Sequence, residues 1–262
     1  EVRLDGEAQK GVYPKDVILE VLGRIRADGA VYKAIDFTGS YVEKLNVAGR
    51  MTICNMAVEM GAKTAYMQPN ADVLNYVDKR AVRPYEVQFT DPDFQYEESY
   101  VFDVSKIEPN LACPSSVENV HPLSEVVANG PIKLNQGYIG SCTGGRVEDI
   151  AIAAKILKGR HIPEYTRLIV VPASNEVMQE CMKAGYIQDL MNAGATITTP
   201  GCGACLGAHE GILAPGEVCI TSTNRNFPGR MGSTEALMYL ASPATVAASM
   251  VNGCITDPRD FL

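Results

Sequence analysis

The sequence contains no run of apolar residues near the roughly eighteen that a membrane-spanning helix needs. It also lacks an excess of positive charge. Its 23 lysines and arginines are outnumbered by 31 aspartates and glutamates, for a formal net charge of −8. Nonspecific binding to nucleic acid or to an anionic membrane is therefore disfavoured, because such binding draws on clustered cations and counterion release. No partner of either kind is expected. Histidine is scarce: there are three in the chain, and His121 and His161 stand in no recognisable motif. No secretory signal pattern opens the sequence, and no internal repeat or low-complexity segment interrupts it. The first residue is Glu1, within what reads as a strand, as expected for part of a longer chain.

Cysteine is not scarce. Eight are scattered over 262 residues, a usage that fits a reduced cytoplasmic protein better than a disulfide scaffold. Cys54, Cys113, Cys181, Cys219 and Cys254 lie mostly in apolar surroundings and read as small buried hydrophobes. The composition, 46% hydrophobic and 21% charged, is ordinary for a globular chain able to fill a core.

Periodicity predicts strands over residues 1–4, 31–37 and 63–67 and helices over 14–27, 47–61 and 71–79. Pro14 suits a first helical position and Gly61 a helix C-cap. Two β-like stretches, 86–89 and 96–102, flank the acidic turn Asp91-Pro92-Asp93. Pro109, Pro114 and Pro122 then mark a loop-rich stretch, and the domain boundary is placed in this region. That gives an α/β domain over 1–105 and a second over 106–262. In the second, strands at 137–140, 167–172, 196–198 and 218–221 alternate with helices at 147–158 and 175–193, and two further helices close the chain. Strand–helix alternation implies parallel sheets covered on both faces, a three-layer α/β/α arrangement. Ligands gather at the carboxyl ends of such strands. The loops following 137–140, 196–198 and 218–221 could therefore meet at one site.

Two of those loops carry cysteine among small residues. One reads Gly140-Ser141-Cys142-Thr143-Gly144-Gly145-Arg146, the other Pro200-Gly201-Cys202-Gly203-Ala204-Cys205-Leu206-Gly207. Glycine lets backbone N–H groups approach a bulky ligand closely, which suits an iron–sulfur cluster whose sulfides accept such bonds. Cys142, Cys202 and Cys205 are read as ligands of one cluster. A C-x-x-C pair taken alone also fits a redox pair or half of a zinc site, with His209 as a possible fourth ligand.

Two further motifs complete a pattern. They are Cys54-Asn55-Met56-Ala57-Val58-Glu59-Met60-Gly61-Ala62 and Thr223-Asn224-Arg225-Asn226-Phe227-Pro228-Gly229-Arg230. Together with the cysteine turns, and in this order, they make the chain resemble the aconitase superfamily. The resemblance is greatest to the large subunits of 3-isopropylmalate dehydratase and homoaconitase, and runs over essentially the whole sequence. It implies a [4Fe–4S] cluster held by Cys142, Cys202 and Cys205, with one iron left without a protein ligand to act as a Lewis acid. It further implies that Asn55 and Asn224 hydrogen-bond around the cluster and that Glu59 meets the water or hydroxyl there. Arg225 and Arg230 would grip substrate carboxylates with their planar forks. Asn55 and Glu59, one helical turn apart, would project from one helix face.

By the same resemblance the chain is the cluster-bearing part of a cytoplasmic hydro-lyase that interconverts 3- and 2-isopropylmalate in leucine biosynthesis. Homoaconitase and dehydratases of dimethylmalate or citramalate are alternatives within the class. A non-catalytic iron–sulfur sensor that binds RNA is an alternative outside it. The family's upstream Asp-Ser-His stretch does not occur in this sequence. Its serine base and further arginines come from a swivelling domain, here a separate small subunit expected as the partner.

Overall fold

The computed structural model describes residues 1–262. The first part is built on a four-stranded, all-parallel sheet in the order β3-β2-β1-β4. Its strands are β1 (Val2–Asp5), β2 (Ala34–Thr38), β3 (Thr64–Tyr66) and β4 (Tyr100–Asp103). Four helices accompany them: α1 (Pro14–Ile25), α2 (Ser40–Lys44), α3 (Val47–Met56) and α4 (Ala71–Asp78). Val17, Ile18, Val21, Leu22 and Ile25 of α1 are buried, the spacing of a helix that gives one face to a core. Asp16 caps this helix. Its carboxylate accepts from Tyr13 N at 2.8 Å and from Asn110 N at 3.1 Å, and burial pushes its pKa up to about 7.

The second sheet has seven strands in the order β6-β5-β11-β10-β7-β8-β9. They are β5 (Asn110–Ala112), β6 (Val120–Pro122), β7 (Gln136–Gly140), β8 (Arg167–Val171), β9 (Thr196–Ile197), β10 (Val218–Thr221) and β11 (Leu237–Leu240). The five strands from β11 to β9 are parallel, and β5 and β6 add an antiparallel edge. The sheet is therefore mixed rather than purely parallel. Its helices are α5 (Leu123–Ala128), α6 (Ser141–Gly144), α7 (Val147–Leu157), α8 (Asn175–Lys183), α9 (Tyr186–Asn192) and α10 (Pro243–Asn252). Helix α10 packs on α7 and β7, and α7 on α8 and α9. No helix is long and apolar enough to cross a membrane.

The two sheets part between Asp103 and Asn110. The apolar cluster under the first sheet nonetheless takes in Ala112, Val117 and Leu240. Helix α1 lies against β5 and β6 of the second sheet, so it serves both parts.

Four local expectations change. Residues 86–89 form no strand, and of 96–102 only the end from Tyr100 pairs. Val87, Phe89 and Phe94 are exposed, so the alternation there answers to no buried face. The helix expected over 175–193 is two helices, because Gly185 adopts the left-handed conformation (φ 81°) and starts a new one. The loop-rich stretch holds β5, β6 and α5. After residue 230 the chain makes β11 and α10 and then ends in a 3₁₀ turn, Pro258–Phe261, in place of a second helix.

Candidate functional site

The site gathers at the carboxyl ends of β7, β9 and β10. All five residues of β7 are buried, and the chain leaves it through Gly140 and Ser141. Ser141 has φ 65°, the left-handed region that a non-glycine residue seldom adopts, and the strained turn presents Cys142. Ser222, just past β10, braces it. Its hydroxyl accepts from Gly140 N at 3.0 Å and donates to Gly144 O at 3.3 Å. The turn also packs too closely for side chains. A Cβ on Gly144 would lie 2.2 Å from Ser222 Oγ, and one on Gly145 would lie 2.6 Å from Val171 O and 2.8 Å from Ser141 O. The second pair are backbone atoms and cannot swing aside. Gly145→Ala is therefore expected to destabilise the chain by about 1–3 kcal/mol, the usual cost of overpacking. Thermal or urea unfolding measures it, and an unchanged midpoint would show that the turn can move off β8.

The second cysteine turn follows β9. Gly201 N donates to Pro172 O at 3.2 Å, and a 3₁₀ turn, Gly203–Leu206, carries Cys205 with Cys202 at its start. Tyr138, fully buried on β7, donates its hydroxyl to Cys202 O at 2.7 Å. One strand thus carries the first cysteine turn and anchors the second. Of the eight free cysteines only Cys142 and Cys202 are exposed; Cys205 is buried beside them.

The third loop follows β10. Ser222 and Thr223 are fully buried. Asn226 is pinned beneath, donating Nδ2 to the carbonyls of Ala112, Cys113 and Met238 at 3.3, 2.9 and 3.3 Å. Arg225 donates Nε to both carboxylate oxygens of Glu59, at 2.9 and 3.0 Å, which leaves its two terminal amino groups uncommitted. Arg230 places Nη2 3.9 Å from Cys205 Sγ and its guanidinium 5.7 Å from the centre of the Phe227 ring.

The fourth contribution comes from the end of α3. Asn55 Nδ2 donates to Cys142 O at 3.2 Å. The α-helix stops at Met56, and Ala57–Met60 winds on as a 3₁₀ turn with Gly61 in the left-handed cap (φ 83°). Glu59 is thus not one α-helical turn beyond Asn55. Both still face the site, Asn55 toward Cys142 and Glu59 toward Arg225. Burial raises the pKa of Glu59, while Arg225 first, then Lys15 and Arg230, act to lower it.

Contacts join Asn55 to Cys142, Glu59 to Arg225 and Arg230 to Cys205, while Cys202 starts the turn that carries Cys205 and Asn224 precedes Arg225. Sequence reasoning missed Tyr138, Ser222, Asn226, Arg146 and Lys15. Arg146 donates Nε to Cys142 O at 3.3 Å. Lys15 is 2% exposed, and its Nζ donates to Thr223 O at 2.6 Å. Burial brings its pKa down to about 8 from 10.5, so keeping it charged at neutral pH costs about 3 kcal/mol. Lys15 had left a signal: a cation in the first turn of a helix opposes the helix dipole.

The residues present suit a cluster. Three site atoms are buried without a hydrogen-bond partner: Ser141 Oγ, Asn224 Oδ1 and Arg230 Nε. Such atoms are costly unless a ligand satisfies them. No three histidine, cysteine or acidic side chains converge as ligands of a single ion would. A four-ligand zinc site needs that convergence, whereas thiolates that bind different irons of one cluster do not.

Fold and site define an α/β protein with a glycine-lined thiol cradle and arginine forks at the carboxyl ends of its strands. The aconitase (aconitate hydratase) family profile matches residues 1–253, and the chain belongs to that family. It is 51% identical over 264 residues to "3-isopropylmalate dehydratase large subunit 1" of Methanopyrus kandleri, covering 100% of this chain and 62% of the relative. It is 48% identical over 258 residues to "Probable methanogen homoaconitase large subunit" of Methanothermobacter thermautotrophicus, covering 98% and 60%. With "3-isopropylmalate dehydratase large subunit" of a Hydrogenobaculum species the identity is 47% over 255 residues, covering 97% and 59%. The chain therefore spans about six-tenths of the length of these curated relatives.

Proposed function

We propose that this chain is the cluster-holding portion of the large subunit of a hydro-lyase that converts 3-isopropylmalate to 2-isopropylmalate by removing and returning water. The observation that carries this reading is that the two cysteine turns lie at the carboxyl ends of strands of one sheet, with the Arg225–Glu59 ion pair and Arg230, 3.9 Å from Cys205 Sγ, beside them. A [4Fe–4S] cluster held by Cys142, Cys202 and Cys205 would supply Lewis-acid pull on the hydroxyl that leaves.

The chain's own residues account for part of the rest. Arg225 is held in place through Nε by Glu59, so its terminal amino groups are oriented to take a substrate carboxylate bidentately. The buried, unpartnered Nε of Arg230 provides a second donor. Glu59, held to Arg225 through both carboxylate oxygens, is assigned to hydrogen-bond the water or hydroxyl at the site. On this reading Asn55, whose Nδ2 donates to Cys142 O, and Asn224, whose Oδ1 is buried without a partner, would hydrogen-bond around the cluster. The same residues would serve a homoaconitase, and relatives of both names match at nearly equal identity. On this reading the small subunit completes the pocket around the variable substituent and determines the choice between them. Turnover of a panel of substituted malates and homocitrate by the assembled enzyme tests that choice.

Elimination also needs a base for the carbon-bound proton. His121 bonds Asn119, His209 faces Glu210, and no histidine bonds a residue of the site. Residues 1–262, loaded with iron and sulfide, are therefore expected to give no turnover of 3-isopropylmalate in an anaerobic assay. Turnover by this chain alone would place the base within it.

A further inference from the structure

Lys15 is a buried cation without an ion-pair partner. Its Nζ donates to Thr223 O at 2.6 Å and Ser222 O at 3.2 Å, and lies 3.1 Å from Met56 Sδ. No salt bridge involves it. A buried charge is normally paired, because desolvation otherwise drives it neutral. Glu59, Asp149 and the cradle cysteines Cys205 and Cys142 lie near enough to act on Lys15. A cluster held by those two thiols would bring negative charge to that place.

The contacts are as specific as the charge. Ser222 and Thr223 are the two residues before Asn224 and Arg225. Met56 follows Asn55 and stands three residues before Glu59. One ammonium group thus touches the β10 loop and the end of α3 together, although they lie on different sheets.

We propose that Lys15 is a positioning residue of the site and its fixed countercharge, tying the Asn224–Arg225 loop to the Asn55–Glu59 segment and offsetting the negative charge of a thiolate-held cluster. The inference rests on the cluster reading above. It assigns to Lys15 an electrostatic role that a purely structural lysine would not have.

Two substitutions separate charge from hydrogen bonding. Lys15→Gln keeps donors for the two carbonyls and removes the charge. Lys15→Met fills similar volume with neither. Each is made in the complete protein, reconstituted anaerobically with iron and sulfide, and followed by iron and sulfide content, midpoint potential and rate of iron loss in air. Lys15→Gln should take up the cluster, show a more negative midpoint potential and lose iron several-fold faster, because a nearby fixed cation favours the more negative, reduced state. Lys15→Met should show the same shift and also a several-fold higher KM in the assembled enzyme, as the arginine loop loses its tie. If Lys15→Gln does not fold, the potential of Lys15→Met decides the matter. A wild-type potential and iron retention in the folded variant would overturn the inference while leaving the cluster reading intact. Wild-type protein that binds no iron and sulfide would overturn both.

Discussion

Serine in place of Cys142, Cys202 or Cys205, one at a time, is expected to abolish stable binding of iron and acid-labile sulfide. Three thiolates are the whole protein ligand set proposed for the cluster, and a serine hydroxyl is a poor substitute for soft iron. The effect should be close to all-or-none, since two thiolates hold a four-iron cluster weakly. Serine at Cys54, Cys181 or Cys254 should leave the broad iron–sulfur absorbance in place. Cys181 is fully buried against α7–α9 neighbours, and burial pushes its pKa and that of Cys54 up to about 11, the behaviour of inert packed thiols. Iron and sulfide analysis after anaerobic reconstitution decides the assignment. Loss of iron in Cys54→Ser together with retention in Cys142→Ser would show that the cradle has been assigned to the wrong thiols.

Arg225→Lys and Arg230→Lys should each cost the assembled enzyme about 2–4 kcal/mol in kcat/KM, on the order of 30- to 1,000-fold. Charge alone is not what these positions supply. Arg225 commits Nε to Glu59 and keeps two parallel donors for a ligand, so it serves both with one rigid plane. A lysine has a single nitrogen, and cannot anchor on Glu59 and fork a carboxylate together. Arg230 reaches toward Cys205 and over Phe227 with one plane. The lysine variants should therefore fail almost as badly as alanine, with little change in unfolding midpoint at Arg230. Wild-type kinetics in both would reduce them to ion-pair and packing roles.

Much of this was legible in the residues. The β7 and β10 strands, the α7 helix and the two cysteine turns each had a strong local signature: an apolar run, a 3.6-residue period, or glycines in a fixed relation to cysteine. Other features were set by distant partners. Residues 86–89 alternate like a strand but find no sheet to join. β11 is four residues long, and an apolar run of that length reads equally well as helix. The end of α3 tightens into a 3₁₀ turn within an apolar run that gives no local warning. The roles of Tyr138 and Ser222 were not visible at all, and that of Lys15 showed only as a cation in the first turn of a helix, because each acts on main-chain atoms between 64 and 208 residues away in sequence.

Those main-chain contacts have a consequence for the lifetime of the protein. Asn55 and Arg146 hold the carbonyl of Cys142, and Tyr138 holds the carbonyl of Cys202; none of them touches a sulfur. These bonds do not depend on what the sulfurs carry. On the proposed reading, loss of a cluster to air would leave the turns held in place, ready to take up iron and sulfide again.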